Sequence, residues 1–364
     1  MERLGDYTRD IAAQSRGAGF ALYAKTLAAT RGNLTKAATM AAHYERRAPA
    51  VGRAIKALMD VGTTSDATWA QPLADYGALA SVFLSALRPL TIIGRLTGLV
   101  RAPFDERVTI QNDVSSGSWV GQGLPTPVLE LAFGEVTLER FKVQALTVVS
   151  DELARSLSAA SEAFIHAALL RANVRTLDVA FIDPANGGST GVKPRAITNG
   201  APGLASSGNT IAAITADAQD LAQQLVDLGT DMQNAVWIVH PRSVTHLATL
   251  PGSGGAPAFP DVSMRGGEWF GLPVISSASV PLTGSPATTI IVLADPTRIL
   301  IADDDELALD VSEQSSLQLA TDPQSGAQSL VSLWQKNLAA IKTTRRINWA
   351  AQTGACAVLR DVSY

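Results

Sequence analysis

Cysteine occurs once in the 364 residues, at position 356. A single cysteine excludes an internal disulfide and any zinc site built on paired cysteines. Cys356 reads as a small buried apolar residue, in a chain that folds in a reducing compartment or needs no covalent staple. Histidine is scarce too, with four copies at 43, 166, 240 and 246. His240 and His246 straddle Pro241, so neither helix nor strand places them on one face, and a zinc site is not expected. His166 follows Glu162 by one helical turn and reads as half of a surface pair. Charged residues make up only 17% of the chain while hydrophobic ones reach 46%. That balance argues against disorder and suits a protein that buries much surface, including against copies of itself. Long uncharged apolar runs are missing. The most apolar stretch, Leu79 to Val100, contains Arg88, Pro89 and Arg95, which a membrane span tolerates poorly. Residues 1–20 carry Glu2, Arg3, Asp6, Arg9, Asp10 and Arg16, so they do not read as a signal peptide.

Catalytic and ligand motifs are equally thin. Gly187-Gly188-Ser189-Thr190-Gly191-Val192-Lys193-Pro194 invites comparison with a phosphate loop. It fails, because Lys193 does not directly follow the second glycine of such a loop, no Ser or Thr follows Lys193, and Pro194 lacks a backbone donor. Asp303-Asp304-Asp305-Glu306, with Asp310 nearby, is the best candidate for a metal. No calcium-loop spacing accompanies it. A solvated turn is expected there, one that could also hold a weak cation or pair with basic residues of a neighbouring chain. No residue is assigned a catalytic, cofactor-binding or metal-ligating role.

Charge is unevenly placed. Residues 1–60 hold ten Lys/Arg and five acids, leaving 19 Lys/Arg against 28 acids in the remainder of a chain whose net charge is −4. A basic arm on an acidic body hints at nucleic-acid contact or electrostatic self-association. A solvated helical face reads the same way.

Periodicity divides the chain. Residues 7–60 read as helix, broken near Arg31-Gly32-Asn33 and at Pro49. Residues 61–76 read as a polar linker, and a short helix follows at Leu79–Leu87. From Arg107 the period becomes two. Val108 and Ile110 alternate with polar residues; so do Val136 and Leu138, and then Phe141, Val143 and Ala145 with shifted parity. Residues 107–148 therefore read as a long two-stranded arm, with a bulge or strong twist at Arg140 and an irregular tip. A lone ribbon is marginal in water, so another surface must cover it. Ser150 is a good N-cap, with Asp151 and Glu152 in the first turn, and one long helix is expected from there to about Phe181. A helix at Ile211–Leu228 follows, then strands at 235–240, 271–275 and 289–295, with a short helix around Ser243–Leu250. The tail, Leu333 to Trp349, reads as one unbroken strand.

This order of features resembles the major capsid proteins of tailed bacteriophages, the HK97-type fold. The residues that carry it are Trp119-Val120-Gly121-Gln122-Gly123 with Pro127, Phe133 to Leu138, Val149 to Leu153, Leu177 to Phe181, Gly191-Val192, Trp237 to Pro241, Gly271 to Val274, Leu293-Ala294-Asp295 and Gln335 to Trp349. Each motif is short, and their colinear order makes the match. The resemblance implies an α+β fold. It implies an N-terminal helical arm (1–100), an extended loop (101–148), a peripheral-domain spine helix with its following loop (149–208), an axial domain (209–325), and a peripheral strand with C-terminal return (326–364). It implies a structural protein, not an enzyme. Hexamers and pentamers would close into an icosahedral shell, assembled in the host cytoplasm, around non-specifically held double-stranded DNA. Portal, scaffold, protease or decoration proteins would be its partners, without membrane or cofactor. An encapsulin-type compartment shares the architecture. The basic arm and the lack of a cargo-docking pattern favour a virus. An unrecognised multidomain hydrolase is a further alternative, with few histidines and one cysteine to support it. Some relatives weld subunits through a loop lysine and a neighbour's asparagine. Lys142 is the sole lysine in 107–148 and lies near the base of the arm, so it should not reach a neighbour's Asn337 or Asn348, and noncovalent shells are expected.

Overall fold

The structure is a computed structural model. It describes residues 18–30, 33–44, 48–57, 80–111, 119–120, 122, 133–156, 159–252, 255–312, 314–318 and 330–364. The chain forms two compact units, each woven from three stretches of sequence.

The first unit comprises Met1–Thr91, Lys142–Thr176 and Asp305–Arg346. Its arm holds helices α1 (Ala18–Ala29), α2 (Leu34–Ala42) and α3 (Pro49–Ala57). The expected breaks are where the sequence put them. Asn33 caps α2 by accepting from the Lys36 amide at 3.1 Å, and Pro49 opens α3, where a missing N–H does no harm. Alanines at 37, 41 and 54 let these helices approach closely, and Val51, Ile55, Tyr23 and Tyr44 fill the seam with Leu309. Residues 80–87 form the expected apolar helix, whose Phe83 packs on Phe20 with centroids 4.8 Å apart.

Strand β4 (Lys142–Ser150) then runs into α4 (Asp151–Arg155), and Ser150 caps it by accepting from the Leu153 amide. The expected single long helix is in fact two. Ser156 adopts an extended backbone, a serine preference that competes with helix, and α5 begins afresh at Ala159 and runs to Ile182. Its 24 residues span about 36 Å. The unit's sheet comes from β4, from β12 (Ile299–Ser312) beyond Asp304, and from β15 (Leu338–Ala351) as far as Arg346. A small hairpin, β13 (Ser316–Gln318) with β14 (Leu330–Ser332), joins β12 to β15. Asn173 of α5 ties helix to sheet, donating to the Leu169 carbonyl at 2.8 Å and to Thr343 Oγ1 at 3.1 Å. The expected unbroken tail strand starts five residues late. Leu333 to Asn337 is a turn, in which Asn337 takes φ +51° and Trp334 is exposed.

The second unit comprises Ile92–Phe141, Leu177–Asp304 and Ile347–Tyr364. Its large sheet has the order β5 (Gly203–Ala205), β16 (Cys356–Val362), β11 (Thr288–Ala294), β6 (Val236–Val239), β9 (Leu272–Ser276), β8 (Gly266–Trp269) and β7 (Val262–Ser263), with β10 (Leu282–Thr283) beside β11. All four residues of β6 are buried, as an uninterrupted Val-Trp-Ile-Val run requires. Helices α6 (Ile211–Asp227) and α7 (Pro241–Thr249) supply Ile214, Leu221, Leu225, Val244 and Leu247 to the core around Trp237 and Trp269. Gly203 lets β5 lie tight on β16, since a Cβ there would sit 2.2 Å from the Val358 carbonyl oxygen. Arg298 closes the end of α6, donating to the Leu228 and Gly229 carbonyls, a favourable place for a cation.

The same unit carries the ribbon, β2 (Arg107–Gln111) paired with β3 (Phe133–Thr137), and β1 (Val100–Arg101) parallel to the start of β12. The ribbon ends at Thr137. The expectation that 107–148 forms one two-stranded arm is therefore corrected. β4 leaves the ribbon and pairs with β15 from Lys142↔Arg346 to Ser150↔Leu338. The parity change near Arg140 marks a switch of sheets, not a bulge within one.

Candidate assembly surface

The ribbon base is built from apolar residues one strand apart. Val108, Ile110, Val136 and Leu138 cluster with Leu300, Ala302 and Ala350 of the same unit. Arg140 pairs with Asp105 at 2.9 Å and lies over the Phe104 ring, while Arg107 reaches Glu135 at 3.3 Å. These exposed pairs add little stability; the buried cluster fixes the root. Beyond it, Trp119 is fully exposed, at 104% of its reference area, and Val120 is exposed. The rest of the tip, residues 112–118, 121 and 123–132, lies outside the described residues. Trp119 is one of the large apolar side chains exposed among the described residues.

The sheet of the first unit presents a polar face. Lys342 pairs with Asp310 at 2.9 Å, Arg346 with Glu306 at 4.0 Å, and Gln144 donates to Thr344 at 3.3 Å. Asp305 holds Arg88. The acidic run expected as a solvated turn is therefore the middle of strand β12. Asp305 and Glu306 pair with Arg88 and Arg346 of their own unit, and Ile299 to Ala302 and Leu307 are buried on either side of the run.

The remaining sequence candidates are scattered. His43 is exposed just past α2, and His240 caps α7 by accepting from the Arg242 amide. His246 lies against Tyr364, ring centroids 5.2 Å apart. His166, expected at the surface, is buried edge-on to Phe83 at 5.9 Å. Cys356 is buried as expected, donates to the Ile197 carbonyl at 3.0 Å, and has its thiol pushed up to about 12 by burial. It lines a cavity of about 580 Å³ with Arg195, Asn199 and Trp349, yet a thiol held protonated is a poor nucleophile. The sequence is read as having no serine nucleophile elbow of the Gly-x-Ser-x-Gly form, and this is corrected: residues 187–191, Gly-Gly-Ser-Thr-Gly, have that spacing. That chemistry needs a strand-to-helix turn. Here Ser189 instead sits in a short loop, bridged to Lys193. Among the described residues no three His, Cys, Asp or Glu gather as a metal site, and no helix is long and apolar enough to cross a membrane.

Sequence reading also missed Asp178. Its carboxylate is fully buried, accepts from the Ile92 amide at 2.8 Å and from Ser277, and faces Arg95. Desolvation raises it to about 6 against those hydrogen bonds and the Arg95 charge. Nothing in the helical pattern around Leu177-Asp178-Val179 separates it from a surface acid.

Comparison with known proteins agrees with this architecture. The profile of the phage capsid family matches residues 79–355. A capsid polyprotein of Pseudomonas phage PAJU2 is 35% identical over 319 residues, covering 85% of this chain and 48% of that protein. The chain thus spans about half the length of the curated relative it matches. Among solved structures, a chain from Mycobacterium phage Ogopogo aligns with TM-score 0.53 and 18% identity over 75% of this chain and 92% of its own. One from Gordonia phage Cozz gives 0.51 and 20%, over 76% and 86%. These likenesses place the fold as α+β and HK97-like, and neither an encapsulin nor a hydrolase is favoured by them. The chain belongs to the phage capsid family.

Proposed function

We propose that this chain is the major head protein of a tailed phage, assembling as hexamers and pentamers into an icosahedral shell around double-stranded DNA. The observation that carries it is the family match across 79–355. The exposed Trp119 beyond a firmly rooted ribbon supports it, as does a main chain whose nucleophile candidates are buried or looped out. Residues 209–325 act as the axial domain at local symmetry axes. The spine helix, β4 and β15 serve the peripheral domain, and the ribbon lies over an adjacent subunit. The protein has no catalytic role, resides in the virion and assembles in the host cytoplasm, aided by portal, scaffold, protease or decoration proteins.

Electron microscopy and light scattering test this. Purified or co-expressed protein should form megadalton shells tens of nanometres across. A protein that stays monomeric under every condition, including co-expression with its accessory proteins, overturns the reading. Contact with DNA is assigned to the basic residues of 1–60. Changing Arg46, Arg47, Arg53 and Lys56 to Gln should lower genome retention or particle yield, and the loss should be salt-sensitive, widest at low salt, because each basic contact to phosphate releases counterions. Unchanged yield, DNA content and salt response would return the arm to a solvated helical face.

A further inference from the structure

Strand β4 is paired along one edge. At the two ends of its ladder with β15, the Ile347 amide donates to the Phe141 carbonyl at 3.1 Å and the Asp151 amide to the Asn337 carbonyl at 2.9 Å. Residues of an antiparallel pair alternate between bonding the partner strand and pointing their amide and carbonyl away from it. Positions 143, 145, 147 and 149 therefore face β15. Lys142, Gln144, Leu146 and Val148 turn their backbone donors and acceptors outward, and among the described residues no strand lies against them.

This edge is long and lightly guarded. Its nine residues extend about 30 Å. Edge strands of soluble proteins carry prolines, bulges or charges that block pairing. β4 has no proline, its register with β15 runs without a shift, its sole charge is Lys142 at the first position, and Leu146 is exposed. In a free chain such an edge invites aggregation. In a chain whose copies stand side by side it is a ready template.

We propose that the outer edge of β4 is a strand-addition site, taking an extended segment of a second copy of this chain through the backbone groups of Lys142, Gln144, Leu146 and Val148. The proposal rests on the shell reading, because that reading supplies the adjacent copy. Main-chain bonds give the incoming strand its hold, and the exposed Leu146 side chain gives it register.

Two variants and one measurement test it. Gln144→Pro deletes only an outward amide and leaves the ladder with β15 whole, and the preceding Val143 already has the extended backbone a proline favours. Gln144→Ala keeps the amide and removes the side-chain bond to Thr344. Q144A should assemble like the parent, while Q144P should keep the parent's circular dichroism as a free subunit and lose at least tenfold in particle yield. In the parent, hydrogen exchange at the Gln144, Leu146 and Val148 amides should slow at least tenfold between free subunit and particle. Exchange equally fast in both, or Q144P assembling at parental yield, overturns the proposal. Protection that appears only when an accessory protein is bound overturns the second copy as occupant. If Q144P misfolds, the exchange measurement on the parent decides alone. A parent that forms no particles sinks the shell reading and this site with it; parental particles with an unprotected edge sink this site only.

Discussion

At the scale of single residues, Asp178 is the most informative side chain. It is a buried acid whose neighbours are the Ile92 amide, Ser277, Ser279 and Arg95. The burial that raises it to about 6 makes the folded chain bind a proton more readily than the unfolded one, whose carboxyl titrates near 3.9. The stabilisation linked to that proton is complete below the unfolded value and is lost as pH rises through about 6. The parent should therefore lose on the order of 2–3 kcal/mol between pH 4 and pH 7 through this group. Asp178→Asn keeps an acceptor for the Ile92 amide and removes the titration. Chemical denaturation at several pH values should show the parent's stability falling across that window relative to the variant's. A variant with the same slope as the parent would show that Asp178 is not the group responsible. Asn173, by contrast, ties α5 to Thr343 through neutral hydrogen bonds and predicts no such dependence.

At the scale of elements, the ribbon and β4 are distinct devices that the sequence runs together. The ribbon root is held by Ile110, Leu138, Leu300 and Ala302, all outside residues 114–127. Replacing 114–127 with an Asn-Gly turn should leave the subunit folded, with a melting temperature within a few degrees of the parent, since two-residue loops of this type suit a hairpin. It should block or deform particle assembly, because Trp119 goes with the tip. Normal particles from this variant, seen by microscopy, would refute an assembly role for the tip. The break at Ser156 and the turn at Leu333–Asn337 likewise divide elements that looked continuous. Both lie where backbone hydrogen bonding changes partner while the apolar pattern does not.

At the scale of the whole molecule, the question is what holds copies together. The resemblance puts the amine of a covalent weld in the ribbon, whose tip from Ser115 to Thr126 contains no lysine. Lys142 belongs to β4, opposite Arg346 in the sheet. Asn348 is buried, and its amide donates to the Glu139 carbonyl at 2.8 Å. Shells should therefore be noncovalent. Boiled particles on a denaturing gel should run as a single band at or slightly below the 38.1 kDa of the chain, and a ladder of covalent oligomers would contradict this. Association would then depend on buried apolar area and strand contacts, whose strength per copy is modest and whose sum over a shell is large.

The sequence by itself determined the elements with strong local signatures. Asn33, Pro49 and Ser150 mark helix boundaries because caps and breaks are set within a few residues of chain. The strand Val236–Val239 and the strand Thr288–Ala294 announce themselves by unbroken apolar runs, and the colinear order of such short motifs was enough to suggest the family. Tertiary structure decided the rest. Whether β4 continues the ribbon or joins β15 depends on a partner some 200 residues away, and period-two alternation is the same for either. Whether Asp303–Glu306 is a turn or a strand depends on Arg88, Lys342 and Arg346 arriving beside it and its neighbours. Whether Asp178 and His166 are surface or core depends on what packs over α5, which a low-contrast, alanine-rich helix does not reveal. Local sequence sets backbone preference; burial and pairing are properties of distant residues brought together, and those fixed the sheets, the buried acid and the open edge.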